Sequence, residues 1–197
     1  MKRILFSVLL LYWLFCLPLA VAVYTPWTYQ LNCHWNERCE RIGLTVAEQS
    51  GQELAGFFRH QQASLATPWT EKEHQHLREV RGIYDMAFLA FACISLLFVF
   101  DLTKHRQLAD YRRYATGSLA LVIGLLLVML AISPFFNFFW MEIFHPLVFD
   151  NELWRTDPGD ISWYLMPKTY FLRVILFLLA TTVLLNLLLV WWLQKSR

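Results

Sequence analysis

Apolar residues along this chain fall in four continuous blocks. They run from about Ile4 to Tyr24, Tyr84 to Phe100, Ala115 to Phe136 and Tyr170 to Leu193. Each is close to the ~20 residues an α-helix needs to cross a ~30 Å hydrocarbon core. Continuous apolar runs leave no alternating polar face for a barrel lumen, so the spans are predicted as helices and not strands. The fold class is all-α integral membrane: four transmembrane helices with an extracytoplasmic helical and loop cap, in a single membrane domain over residues 1–197.

Polar stretches separate the blocks, at about 25–83, 101–114 and 137–169. Within the first, Thr45-Val46-Ala47-Glu48 and Thr70-Glu71-Lys72-Glu73 both have the Thr-x-x-Glu form of a capping box. The second box is predicted to open one long helix that runs into span two without a break. On that helix Glu73, His76, Glu79 and Val80 share a face by i, i+3 and i, i+4 spacing, and His74 lies on another. The third stretch is dense in aromatic residues and is cut by Pro134, Pro146, Pro158 and Pro167. Aromatic rings concentrate at the headgroup level, so this loop reads as folded against the membrane surface.

Charge gives the orientation. Lys2 and Arg3 precede span one, Lys104, Arg106, Arg112 and Arg113 lie between spans two and three, and Lys195 and Arg197 close the chain. With an even number of spans all three clusters fall on one side, the cytoplasm. The other side receives most of the acidic residues and every histidine except His105. The chain is 57% hydrophobic and 16% charged, well below the roughly 25% charged residues of soluble proteins. Its basic residues are accounted for by topology, so no nucleic-acid partner is implied. Ala20-Val21-Ala22 resembles a signal-peptidase site, but the apolar stretch before it is long for a signal peptide and is read as a span.

Few residues carry candidate chemistry. Cys33 and Cys39 lie in an outer segment that permits a small disulfide loop. Cys16 and Cys93 lie in spans and read as apolar packing residues. No Cys-x-x-Cys occurs, which weakens a redox function. His76 and His145 are both predicted at the outer ends of spans two and three, and histidine suits proton transfer near neutral pH. His34, His60 and His74 lack supporting context and read as surface residues. The histidines have no metal-ligand spacing, and no metal or cofactor is implied. Asp150-Asn151-Glu152-Leu153-Trp154-Arg155-Thr156-Asp157-Pro158 is a turn-rich loop whose acidic residues either orient a histidine or keep the loop soluble. Serine-nucleophile, zinc-peptidase and phosphate-loop motifs are missing.

With these residues in view, the sequence resembles the lipoprotein intramolecular transacylases (Lit) of bacteria. The run from Trp69 to Arg81 is similar to the family's outer-helix motif, with His76 on its histidine. Phe144-His145 with Phe149, Asn151, Trp154, Asp157 and Asp160 is similar to the second motif. Glu79 stands where the family more often has Asp, and the Cys33 and Cys39 pair is not a family feature. The resemblance implies an acyltransferase of the bacterial cytoplasmic membrane, active on its extracytoplasmic face. Its substrate would be a lipoprotein whose N-terminal cysteine carries a diacylglyceryl group. The sn-2 acyl chain would move to the α-amine and leave a lyso-form lipoprotein. His76 and His145 are the expected catalytic pair, with Glu73, Glu79, Asn151, Trp154 and Asp157 supporting or orienting them. The residues favour His76 as base and His145 as acid or oxyanion partner without separating the roles. Two other readings stand beside it: a membrane thiol oxidoreductase using Cys33 and Cys39, and a non-catalytic interaction subunit of the envelope.

Overall fold

A computed structural model describes residues 2–66, 68–105 and 108–195. Arg106 and Arg197, both counted in the basic clusters, lie outside the described residues. The described chain is helical, with no strand among those residues. In order come α1 (Lys2–Tyr24), α2 (Trp27–Cys33), α3 (Glu37–Ile42), α4 (Leu44–Phe58), α5 (Glu71–His105) and α6 (Leu108–Ile132). A 3₁₀ turn (Ser133–Phe135), the single turn α7 (Phe136–Phe138) and a π-helical turn (Phe139–Phe144) follow, then α8 (His145–Val148), α9 (Ile161–Leu165) and α10 (Lys168–Lys195). Four helical stretches are long and apolar enough to cross a membrane: Lys2–Tyr24, Glu71–Lys104, Ala109–Val148 and Lys168–Lys195.

These match the four expected spans, and the helices are longer than the apolar blocks. α5 begins at Glu71 because Thr70 and Glu73 form the reciprocal box read from the sequence. The Thr70 amide donates to Glu73 Oε2 (2.9 Å) and the Glu73 amide to Thr70 Oγ1 (3.3 Å). The Thr45 box does not form. α4 starts two residues earlier than that box would set it, at Leu44, from Gly43 with φ +85°. Only glycine adopts that backbone readily, so the turn out of α3 fixes the start of α4 and leaves Thr45 inside it. The polar stretch after span three is also more helical than expected, since helical turns continue to Val148.

The chain divides into two compact units. One holds residues 1–19, 85–131 and 175–197 and is built from the apolar helices. Phe6, Leu10, Leu14, Phe98, Tyr114, Ala115 and Leu193 form its core. Polar pairs tie the helices where no water is available. Trp13 Nε1 donates to Ser95 Oγ (2.8 Å) and Tyr12 to the Ala87 carbonyl (2.8 Å). Fully buried Asn186 accepts from the Ser118 hydroxyl (2.6 Å) and donates to the Ala115 carbonyl (2.9 Å). A Cβ at Gly117 would collide with the Ser7 side chain, so these two helices approach through a glycine.

The second unit holds residues 20–84 and 132–174. Leu54, Ala55, Phe57 and Phe58 of α4 are buried within it. Cys33 and Cys39 are joined by a disulfide (S–S 2.10 Å) that closes the corner from α2 to α3. Side chains of this corner hold the end of α9. Asn32 donates to the Leu165 carbonyl (2.9 Å), Asn36 to that of Tyr164 (2.5 Å) and Arg38 to that of Trp163 (3.1 Å). Last-turn carbonyls have no partner within their own helix, so side-chain donors let a five-residue helix persist. The Tyr29 phenol is fully buried among other tyrosines here, and burial pushes it well above its ordinary value.

Candidate functional site

Both candidate histidines belong to the second unit, and folding brings them together. His76 stands on the first turns of α5, and buried His145 opens α8. Their ring centroids are 6.4 Å apart. Aromatic residues wall the pair. Phe149 meets His76 edge-on at 4.7 Å, while Trp154 and Trp140 flank His145 at 4.5 and 4.8 Å. Phe144 and Phe171 stack on Trp140 at 4.6 and 4.7 Å, which fixes that wall in turn. The surroundings suit a hydrocarbon-bearing substrate and keep bulk water away.

The two imidazoles differ in their partners. His145 Nδ1 lies 2.6 Å from the Trp140 carbonyl. A carbonyl only accepts, so Nδ1 carries the proton and the neutral ring keeps its lone pair on Nε2. His76 Nδ1 is buried without a hydrogen-bond partner and lies 3.7 Å from Glu79 Oε2. Glu79 is itself oriented by Asn151, whose Nδ2 donates to Oε1 (2.9 Å). Asn151 also accepts from the Leu153 amide through Oδ1 (3.0 Å), and its carbonyl accepts from Trp154 Nε1 (2.7 Å). A single turn thus orders Asn151 toward Glu79 and Trp154 toward His145. Three of the supporting residues expected from the sequence, Glu79, Asn151 and Trp154, converge on the histidines.

Glu73 and Asp157 do not touch an imidazole. Glu73 is buried and accepts through Oε1 from the Ser162 amide (2.6 Å) and from the Ser162 hydroxyl. It therefore staples the start of α5 to the start of α9. Asp157 is exposed; a hydrogen bond from the Gly159 amide, then the Lys72 ammonium, holds its carboxyl below the usual carboxylate range. Lys72 bridges it (3.0 Å) to buried Asp160 (2.6 Å). The Thr70 hydroxyl lies 2.9 Å from Asp160 and 3.0 Å from Glu73, so one proton serves two carboxylates. These contacts brace the segment that carries Phe149, Asn151 and Trp154.

Sequence reasoning missed several parts. Ser162, Thr70 and Lys72 were not singled out as partners of the loop, though the capping box had marked Thr70. The Trp140 carbonyl is a backbone group that no side-chain pattern announces. His74 is not a surface residue: its side chain is 13% exposed and its ring packs edge-on to Phe57 at 5.9 Å. Arg81 lies over the same Phe57 ring at 4.0 Å and donates to its carbonyl (3.3 Å). His34 and His60 are exposed, as expected. Among the described residues no group of three or more His, Cys, Asp or Glu could hold a metal ion.

Comparison with known proteins bears on this arrangement. The family model described as lipoprotein intramolecular transacylase Lit matches residues 4–171. None of the curated proteins is similar in sequence. Among solved structures, the membrane-integral lipoprotein intramolecular transacylase Lit from Bacillus cereus superposes with a TM-score of 0.79 at 17% identity, over 98% of this chain and 94% of that one. A variant of the same enzyme with one histidine replaced by arginine gives a TM-score of 0.76 at 18% identity, over 98% and 91%. A variant with a histidine replaced by alanine gives 0.77 at 17%, over 98% and 92%.

Proposed function

Because this chain belongs to the lipoprotein intramolecular transacylase (Lit) family and is an acyltransferase of the membrane, we propose that it moves the sn-2 acyl chain of a diacylglyceryl-cysteine lipoprotein to the N-terminal amine. The observation that carries the reading is the pair of imidazoles 6.4 Å apart inside an aromatic wall. The α-amine attacks the ester carbonyl carbon and a C–N bond forms. Its proton passes to Nε2 of His145, the nitrogen left bare by the Trp140 contact. The tetrahedral intermediate collapses with cleavage of the C–O bond, and the proton goes to the leaving glycerol oxygen. The products are an amide and a free hydroxyl. His76 faces the oxyanion as the donor, and the Glu79 carboxylate, 3.7 Å from Nδ1, stabilises the partial positive charge that ring gains as it donates. The hydrogen bond at Nδ1 supports giving the base to His145, where the sequence had favoured His76.

Donor and acceptor sit on one modified cysteine. The protein need mainly hold them in contact, and well-oriented intramolecular reactions recover roughly 7–11 kcal/mol in this way. General acid–base help adds about 10²–10⁴-fold. The basic clusters support both termini in the cytoplasm, with the histidines at the extracytoplasmic face where glycerol esters lie. Diacylglyceryl lipoproteins in the surrounding lipid are the partners on this reading. The thiol oxidoreductase alternative gains nothing, since Cys39 is fully buried and the free Cys16 and Cys93 lie in apolar helices.

The test is mass spectrometry of the N-terminal peptide of a model lipoprotein co-expressed with this protein in cells lacking other N-acylation. The expected product is an N-acyl, S-monoacylglyceryl peptide that disappears with His76→Ala and with His145→Ala. A diacylglyceryl peptide left unchanged by well-expressed protein would overturn the reading.

A further inference from the structure

In α-helical register the His145 amide would bond to the carbonyl four residues back, that of Met141. It bonds instead to the carbonyl of Trp140, five back, across the π-helical turn Phe139–Phe144. The same oxygen lies 2.6 Å from His145 Nδ1. One carbonyl therefore accepts from both the main chain and the side chain of His145, one lone pair for each. The cause of the wide turn is the next residue. Pro146 has no N–H to donate, and in an α-helix its ring presses on the carbonyl four residues back, here Glu142. A turn wider by one residue relieves that clash. Pro146 then falls in the first turn of α8, where a missing N–H is no loss. Single π-helical turns are rare and concentrate at functional sites.

We propose that Pro146 is a positioning residue for the transacylation, forcing the π-helical turn whose Trp140 carbonyl holds His145 as the Nδ1–H tautomer with Nε2 bare. This rests on His145 being the base in the reading above. A neutral imidazole has one donor and one acceptor nitrogen, and only the acceptor takes a proton from the substrate amine. The rings of Trp154, Trp140 and Phe149, at 4.5, 4.8 and 5.8 Å, hold the imidazole and keep it from turning over. The carbonyl decides the tautomer and the rings decide the direction in which Nε2 points.

Pro146 is exposed, so Pro146→Ala removes little packing and adds a good helix former with an N–H. The measurement is ¹⁵N NMR of the full-length, histidine-labelled protein in detergent, with His145→Ala assigning the resonance. It is paired with steady-state acyl transfer on a synthetic diacylglyceryl lipopeptide. The wild-type protein is expected to show His145 protonated on Nδ1 alone. Pro146→Ala is expected to show a mixture of tautomers and a kcat lower by about tenfold at unchanged KM, the scale of one lost hydrogen bond. Pro134→Ala, at the start of the 3₁₀ turn, is expected to change neither. An Nε2–H tautomer in the wild-type protein overturns the proposal even if Pro146→Ala fails to fold. So does a Pro146→Ala protein whose tautomer or whose kcat stays at the wild-type value. Full activity in His145→Ala is a different failure, that of the base assignment itself.

Discussion

Glu79 is the residue whose chemistry is most exposed to a single change. Its carboxylate is held by Asn151 on one oxygen and faces His76 Nδ1 at 3.7 Å on the other. That distance is too long for a hydrogen bond and short enough for the carboxylate to stabilise positive charge on the ring. Glu79→Gln keeps the shape and the contact with Asn151 while removing the charge. It is expected to lower kcat about tenfold with little change in KM, since the carboxylate stabilises a ring whose N–H meets the oxyanion only in the transition state. Initial rates of N-acyl product formation check this. An equal loss in KM alone would mean that Glu79 acts on binding and not on His76. His76→Ala and His145→Ala should each cost about 10²-fold or more, the range of general acid–base catalysis.

Among elements, α5 and α9 are joined by one carboxylate. Glu73 satisfies amide and hydroxyl of Thr70 at the start of α5 and the amide and hydroxyl of Ser162 at the start of α9. Glu73→Ala leaves the part-buried Thr70 amide and the buried amide and hydroxyl of Ser162 without their acceptor, while the Thr70 hydroxyl keeps Asp160, and each buried orphan costs about 1–3 kcal/mol. Thermal unfolding in detergent should show a clear loss of stability, together with lower activity. Ser162→Ala removes one of the four donors and should give a smaller shift. If Glu73→Ala melted like the wild-type protein, the staple would not hold these segments together. The short helix α9 keeps a second anchor at its other end, where Asn32, Asn36 and Arg38 donate to three of its carbonyls.

For the molecule as a whole, the disulfide and the membrane orientation can be tested separately from catalysis. The Cys33–Cys39 bridge closes a loop with a sequence separation of 6. Chain-entropy arguments give about 2 kcal/mol for so small a loop. The double variant Cys33→Ser with Cys39→Ser is expected to melt earlier and still transfer acyl chains at low temperature. Complete loss of activity in a folded double variant would favour a thiol function instead. Orientation is checked by an impermeant thiol reagent on intact cells. Glu152→Cys should be labelled and Asp110→Cys should not, and the reverse pattern would invert the topology.

By itself the amino-acid sequence determined the four spans, the long helix opened by Thr70 and Glu73, and the two histidines worth testing. Spans are legible because bilayer thickness converts directly into a count of apolar residues, and caps are legible because they are local. The Thr45 box does not form for a local reason as well, since Gly43 sets the helix start two residues earlier. Only the tertiary structure decided which carboxylate meets which partner. Glu73, expected beside His76, turns to Ser162, because a buried charge goes to the donors that folding brings nearest, and exposed Asp157 turns to the ammonium of Lys72. The tautomer of His145 was equally out of reach of the sequence. It depends on a backbone carbonyl brought under the ring by one extra residue in a helical turn, and residue types along a chain do not encode the direction of their own carbonyls.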